Sequence, residues 1–164
     1  MMIYEQPVSE LVRALLRLEH LFSKVDYLFD NQPEKHRHSV MSVLISILNL
    51  LDRPDLKSKL TQELHRQIGI FSRLSNSPEV CGTKLTDTLN KLNLALPYFS
   101  KLNGKIGQSL RDNEFIATVR QRMLAPAHDA NFETPVYHYW LQLNESKGVE
   151  TLHAWFSELA MTRD

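Results

Sequence analysis

The chain reads as an all-α bundle of about six to eight helices, preceded by a short N-terminal segment of partly extended character. Three observations predict this. Apolar residues recur at steps of three and four along most of the length, as in helices that bury one face. Only five glycines occur in 164 residues, and long stretches are rich in the helix formers Leu, Lys, Glu and Gln. No stretch alternates apolar and polar residues between turn signals as a β-hairpin would.

Taken in order, Met2 to Pro7 is short and β-prone, and its proline interrupts any helix. Ser9 is an N-cap for a first helix running to about Phe29, with Leu11, Leu15, Leu18, Phe22 and Val25 as its apolar stripe. Asn31-Gln-Pro33 breaks it, and Pro33 suits the first turn of the next helix. That second helix is apolar on most sides from Val40 to Leu51, which predicts a central, well-buried position before Pro54 ends it. A third places Leu56, Leu60, Leu64, Ile68 and Phe71 on one face. Ser75-Asn-Ser-Pro78 is a loop by composition. A fourth spans about Thr83 to Leu102 on Leu85, Leu89, Leu92 and Leu96, with Pro97 expected to kink or cut it. Asn103-Gly104 is a turn. Short helices follow over 105–111 and 113–124, then a loop over 125–131, then helices over 135–143 and 148–159. There is no internal repeat and no low-complexity tract, so one helical domain over 1–164 is expected.

Bulk composition narrows the function classes. Formal net charge is zero, so any anionic partner must be met by a local patch rather than by the whole chain. The single cysteine, Cys81, allows no internal disulfide, fits a reducing compartment, and reads as a small apolar residue. No apolar run approaches the roughly 20 residues of a membrane span, and the N-terminus lacks the layout of a signal peptide. A cytoplasmic address is expected.

Candidate chemistry is confined to basic and aromatic groups. Arg13, Arg17, His20 and Lys24 follow steps of four, three and four, and fall within a sector of about 60° at 100° per residue, roughly opposite Leu11, Leu15 and Leu18. Such a stripe can hold an acidic peptide or phosphates, because arginine offers a fork of donors to each oxyanion. A solvated face that happens to be basic has the same spacing. Glu19 and Asp26 lie off the sector, so the stripe is not neutralised within its own helix. Lys105, Arg111, Arg120 and Arg122 form a second basic group; taken alone they read as surface charges or ion-pair partners. His36 and His38 diverge near a helix start, and neither they nor His128-Asp129 find further ligands at metal-binding spacing. In Tyr137-His-Tyr-Trp140 the tryptophan reads as core, while His138 could donate from a pocket rim. No nucleophile elbow, P-loop, dinucleotide fingerprint or zinc-protease motif occurs, and nothing asks for a cofactor.

Several of these segments resemble one family. Ile3-Tyr-Glu-Gln-Pro-Val-Ser-Glu-Leu-Val-Arg13, continuing to Leu15-Leu-Arg17-Leu-Glu-His-Leu21, is similar to the opening of the Z-ring-associated protein D (ZapD) family. Lys105-Ile-Gly-Gln-Ser-Leu-Arg111 and Ile116-Ala-Thr-Val-Arg-Gln-Arg122 resemble its most recognisable signature. Phe132, Pro135, His138, Trp140 and Leu141 resemble the block that follows, and Leu50-Leu-Asp52 and Leu64-His-Arg66-Gln67 fit the intervening helices. The resemblance runs in order over essentially the whole chain.

It implies a cytoplasmic, non-enzymatic protein at the midcell division site that binds the C-terminal tail of the tubulin-like protein FtsZ and bundles its filaments. Family members are symmetric dimers with a helical and a β-strand domain, so this chain corresponds to the helical part and lacks the C-terminal β domain. The resemblance makes Arg13, Arg17 and His138 the first expected partner-binding residues, with Arg111, Arg120 and Arg122 next and Lys24 alongside. Glu114 departs from the pattern, standing where relatives carry a basic residue. The alternative reading is a helical nucleic-acid-binding module using Arg13, Arg17 and Lys24; zero net charge and the lack of a recognition motif count against it.

Overall fold

The computed structural model describes residues 9–74, 82–124, 135–143 and 145–163. It is all-α, with nine helices and no strand among those residues. The expectations for the segment up to Val8, for the 75–78 loop, Cys81, the 125–131 loop with His128, and Phe132 lie outside the described residues. Packing divides the chain into two compact units, residues 52–106 and the remainder.

In the larger unit, α1 (Glu10–Asp30) and α2 (Arg37–Leu51) are joined by a short connection and pack as an antiparallel pair. α2 is the centre, as its all-round apolar sequence predicts: nine of its fifteen residues are buried, leaving a narrow polar strip of His38, Ser42 and Ser46. It packs on α1, on α6 (Glu114–Met123) and on α8 (Glu145–Ser157). α5 (Gln108–Asp112), α7 (Pro135–Gln142) and α9 (Ala160–Arg163) complete the unit. Gly107 enters α5 at φ +73, a backbone conformation that favours glycine, and a Cβ there would press on the Leu48 and Leu159 side chains at 3.2 and 3.3 Å.

Local capping follows the sequence closely at α6 and less so at α1. Asn113 accepts from the Phe115 and Ile116 amides, Glu114 lies in the first turn, and Arg120 and Arg122 lie in the last, as the helix dipole favours. Glu114 therefore has a local helical role. Ser9 stands at the α1 N-cap in extended conformation but makes no side-chain cap hydrogen bond. Pro33 is not in the first turn of α2. It belongs to a separate turn in which the Lys35 amide donates to Gln32 and that of His36 to Pro33, and α2 starts at Arg37.

The buried face of α1 is also shifted from the expected one. Ala14, Leu18, Phe22, Val25 and Leu28 are buried, while Leu11 and Leu15 are half-buried. The partner helices, rather than the size of the side chains, decide which sector is covered, and they take Ala14.

The smaller unit is an antiparallel hairpin of α3 (Leu56–Leu74) and α4 (Gly82–Lys101). Leu60, Leu64, Gln67, Phe71 and Leu74 on α3, and Leu85, Leu89, Leu92, Leu96 and Phe99 on α4, follow alternating steps of four and three. That is the seam spacing of a two-stranded coiled coil. Such a seam covers its residues incompletely, and in this unit only Leu56, Leu85, Phe99 and Ile106 are buried hydrophobics among the described residues. The open end is tied by the Lys57 ammonium, which donates to the Leu102 carbonyl, and by the ion pair of Lys105 with Asp52 at 2.7 Å. Pro97 neither ends nor splits α4, which runs through it.

Candidate functional site

The predicted stripe on α1 is solvent-facing. Arg13, Arg17, His20 and Lys24 are all exposed, and none pairs with a carboxylate among the described residues. At 100° per residue the stripe lies about 110° from the centre of the buried face, nearer to its edge than the opposite side of the helix would be. On the outward side of the stripe Val12, Leu16 and Tyr27 are 44, 48 and 66% exposed. α1 thus presents a basic row beside an apolar one. Sequence reasoning missed that second row, although apolar residues lying outside the core-facing sector were a visible signal.

Arg111 and Arg120 instead turn inward. Arg111 Nη2 donates to the Leu48 carbonyl at 3.0 Å, and Arg120 Nε donates to Asn49 Oδ1 at 2.7 Å. Both guanidinium groups therefore converge on the last turn of α2, where cations are favoured by the helix dipole. With α1 antiparallel to α2 and a rise of about 1.5 Å per residue, that turn is roughly level with Leu16 and Arg17. The α1 stripe begins at the same end of the bundle. Arg122 is exposed in the last turn of α6, one residue before its end.

His138 is exposed on α7, and its Nε2 is 2.8 Å from the Gln142 amide nitrogen. Its neighbours Tyr137 and Trp140 are buried and hold α7 in place. Trp140 stacks between Tyr137 and Trp155 at centroid distances of 5.9 Å each, and the Phe115 ring stands 5.6 Å from it. The Tyr137 hydroxyl reaches His38 Nδ1 at 2.8 Å, so His38 serves this packing. No group of three potential metal ligands occurs among the described residues. None of their helices is long and apolar enough to cross a membrane.

One residue the sequence did not single out organises this region. Arg37 is only 8% exposed, the one buried charged residue described. Its Nη1 donates to the carbonyls of Trp140 at 3.2 Å and Leu143 at 3.0 Å, its Nη2 to that of Leu141, and its Nε to that of Glu34 at 3.2 Å. The guanidinium caps the C-terminus of α7 and lies 6.0 Å from the Trp140 ring centre. It orients the helix that carries His138.

The comparisons with known proteins agree with one another. The ZapD family model, described as a cell division protein, matches residues 16–164. Among curated relatives, "Cell division protein ZapD" of Coxiella burnetii is 39% identical over 155 residues, covering 94% of this chain and 60% of that protein. Proteins of the same name from Nitrosomonas europaea and Azoarcus sp. are 38% and 36% identical, covering 98% and 100% of this chain but 61% and 65% of their own lengths. The chain thus spans a little under two thirds of these relatives. With the family model matched over nearly its whole length, the chain belongs to the ZapD family of cell-division proteins.

Proposed function

We propose that this chain is the helical part of a non-catalytic adaptor that binds the C-terminal tail of FtsZ through basic residues and cross-links its filaments at the cytoplasmic division site. The observation that carries the reading is the α1 surface, where Arg13, Arg17, His20 and Lys24 are exposed and unpaired with carboxylates among the described residues, beside exposed Val12 and Leu16. An acidic tail with apolar side chains would find both halves of its chemistry on one helix. His138 and Arg122 are exposed and stand as secondary contacts. Arg111 and Arg120 act by holding the last turn of α2, and add positive potential at that end. A homodimer of the full-length protein would present two such sites, and many tails along a filament would turn modest single-site affinity into avidity.

Charge distribution also disfavours the nucleic-acid alternative. The unit that contains α1 carries ten Lys and Arg against fourteen Asp and Glu, so a duplex, whose phosphates reach well beyond the stripe, would meet that acidic excess, whereas a short tail confined to the stripe need not.

The test is co-sedimentation with FtsZ filaments, with light scattering to measure bundling. Arg13→Glu combined with Arg17→Glu is expected to reduce the pelleted fraction to background while circular dichroism and the thermal midpoint stay near wild type. Raising salt is expected to weaken wild-type binding. Bundling that survives the double variant rejects the assignment of the stripe, and tight DNA binding without FtsZ co-sedimentation rejects the adaptor reading.

A further inference from the structure

We propose that a cleft between the C-terminal half of α1 and helices α8 and α9 is a receptor for an arginine side chain of a partner protein. The cleft has a volume of about 520 Å³, in the range of small-ligand sites. Its walls are aromatic: Phe22 is buried, and Phe29 and Phe156 are half-buried. The Phe29 ring stacks on His153 at 4.1 Å and meets Phe156 edge-on at 5.7 Å, which fixes the wall geometry.

The rim selects the charge. Asp26 and Asp30 both line the cleft against a single guanidinium, that of Arg163, which pairs with Asp26 at 2.9 Å. The Asp30 carboxylate is exposed and makes no ion pair or hydrogen bond among the described residues. The local balance is negative, and so is that of the surrounding unit, with fourteen acidic side chains against ten Lys and Arg. An anion would be repelled by Asp30, and a neutral apolar group would desolvate that carboxylate without pairing it.

Arginine fits better than lysine. Its flat, weakly hydrated guanidinium can lie along an aromatic wall while its donors meet a carboxylate edge-on, whereas an ammonium keeps its hydration. The Arg163–Asp26 pair already displays the charge half of this arrangement at the rim. The inference stands apart from the filament reading, because it uses acidic and aromatic residues rather than the basic stripe.

The test is an NMR titration of the isotope-labelled 164-residue chain with N-acetyl-arginine N-methylamide, and in parallel with the isosteric citrulline compound, which is neutral. The arginine probe is expected to bind with a dissociation constant on the order of 1 mM, moving ring resonances of Phe29, His153 and Phe156. Citrulline is expected to bind at least about tenfold more weakly, and Asp30→Asn to weaken the arginine probe by a similar factor. Asp30 is exposed, so this variant is expected to keep the wild-type dichroism spectrum. Phe156→Leu, checked in the same way, is expected to reduce binding of the arginine probe. Equal binding of the two probes, wild-type affinity in Asp30→Asn, shifts that map to the α1 stripe, or no binding of the arginine probe at tens of millimolar would each overturn the proposal.

Discussion

Arg37 and Gly148 form a pair in which each constrains the other. A Cβ on Gly148 would lie 2.5 Å from Arg37 Nη1 and 2.9 Å from its Cδ, and the guanidinium has little freedom to move because the α7 carbonyls hold it. Gly148→Ala is therefore expected to destabilise the fold by about 1–3 kcal/mol in urea unfolding followed by tryptophan fluorescence. Arg37→Met keeps the aliphatic stem but leaves three carbonyls at the end of α7 without their donor, and is expected to cost about 2–4 kcal/mol. A loss below about 0.5 kcal/mol would mean that water replaces the guanidinium there. Nothing local marked Arg37 for burial, since its α7 partners lie 103 to 106 residues further on. Glu63 on α3 makes a different prediction. Hydrogen bonds from Arg66, at 2.6 and 2.8 Å, and from Gln67 hold its carboxyl at about 2, well below the ordinary carboxylate range. Because the folded value is depressed, the stabilisation is complete above the unfolded value near 4.3 and is lost as pH falls from there through about 2. The pair is exposed, so the effect on the hairpin is small. An NMR titration of the Glu63 carboxyl in Arg66→Ala is expected to show its midpoint moving up.

Helix α4 shows where an element can overrule its own sequence. Pro97 removes one backbone donor and crowds the preceding turn, yet the helix continues from Gly82 to Lys101 because Leu92, Leu96 and Phe99 stay in the seam with α3. Pro97 is itself exposed, so Pro97→Ala is expected to raise stability by about 1–3 kcal/mol, measurable as a shift in the urea midpoint at unchanged slope. An unchanged midpoint would show that the seam already absorbs the defect. The helical period and the buried character of α2 were legible because both rest on local spacing. The phase of α1 was less so: Ala14 is covered and Leu11 only half-covered, a choice made by the helices packed against it. Exposure of the Arg13 to Lys24 stripe could be read from its polar sector. The inward turn of Arg111 and Arg120 could not, because Leu48 and Asn49 lie more than sixty residues earlier.

At the scale of the molecule, neutrality conceals two oppositely charged parts. The hairpin unit carries nine Lys and Arg against five Asp and Glu, and the rest of the chain carries the compensating acidic excess. Burial is also unequal, with nine buried residues in α2 alone against one in α3 and two in α4. Amide exchange is expected to be slowest in α2 and markedly faster across α3 and α4, because few fully covered side chains hold the hairpin closed. Equal protection of the two units would contradict this. The insertion of the hairpin between α2 and its later partners has a consequence for the order in which the chain is made. On the ribosome, α2 emerges with its apolar surface complete but with α6 and α8 still unsynthesised, while the hairpin needs only its own neighbouring sequence. At about 5–20 residues per second, α2 waits roughly 5–20 s for Leu159. During that interval the nascent chain carries a hydrophobic helix that only α1 can cover, with the sides that later meet α6 and α8 still open. Chains stalled between the hairpin and α8 should therefore be held by chaperones, whereas chains released after α9 should close without them.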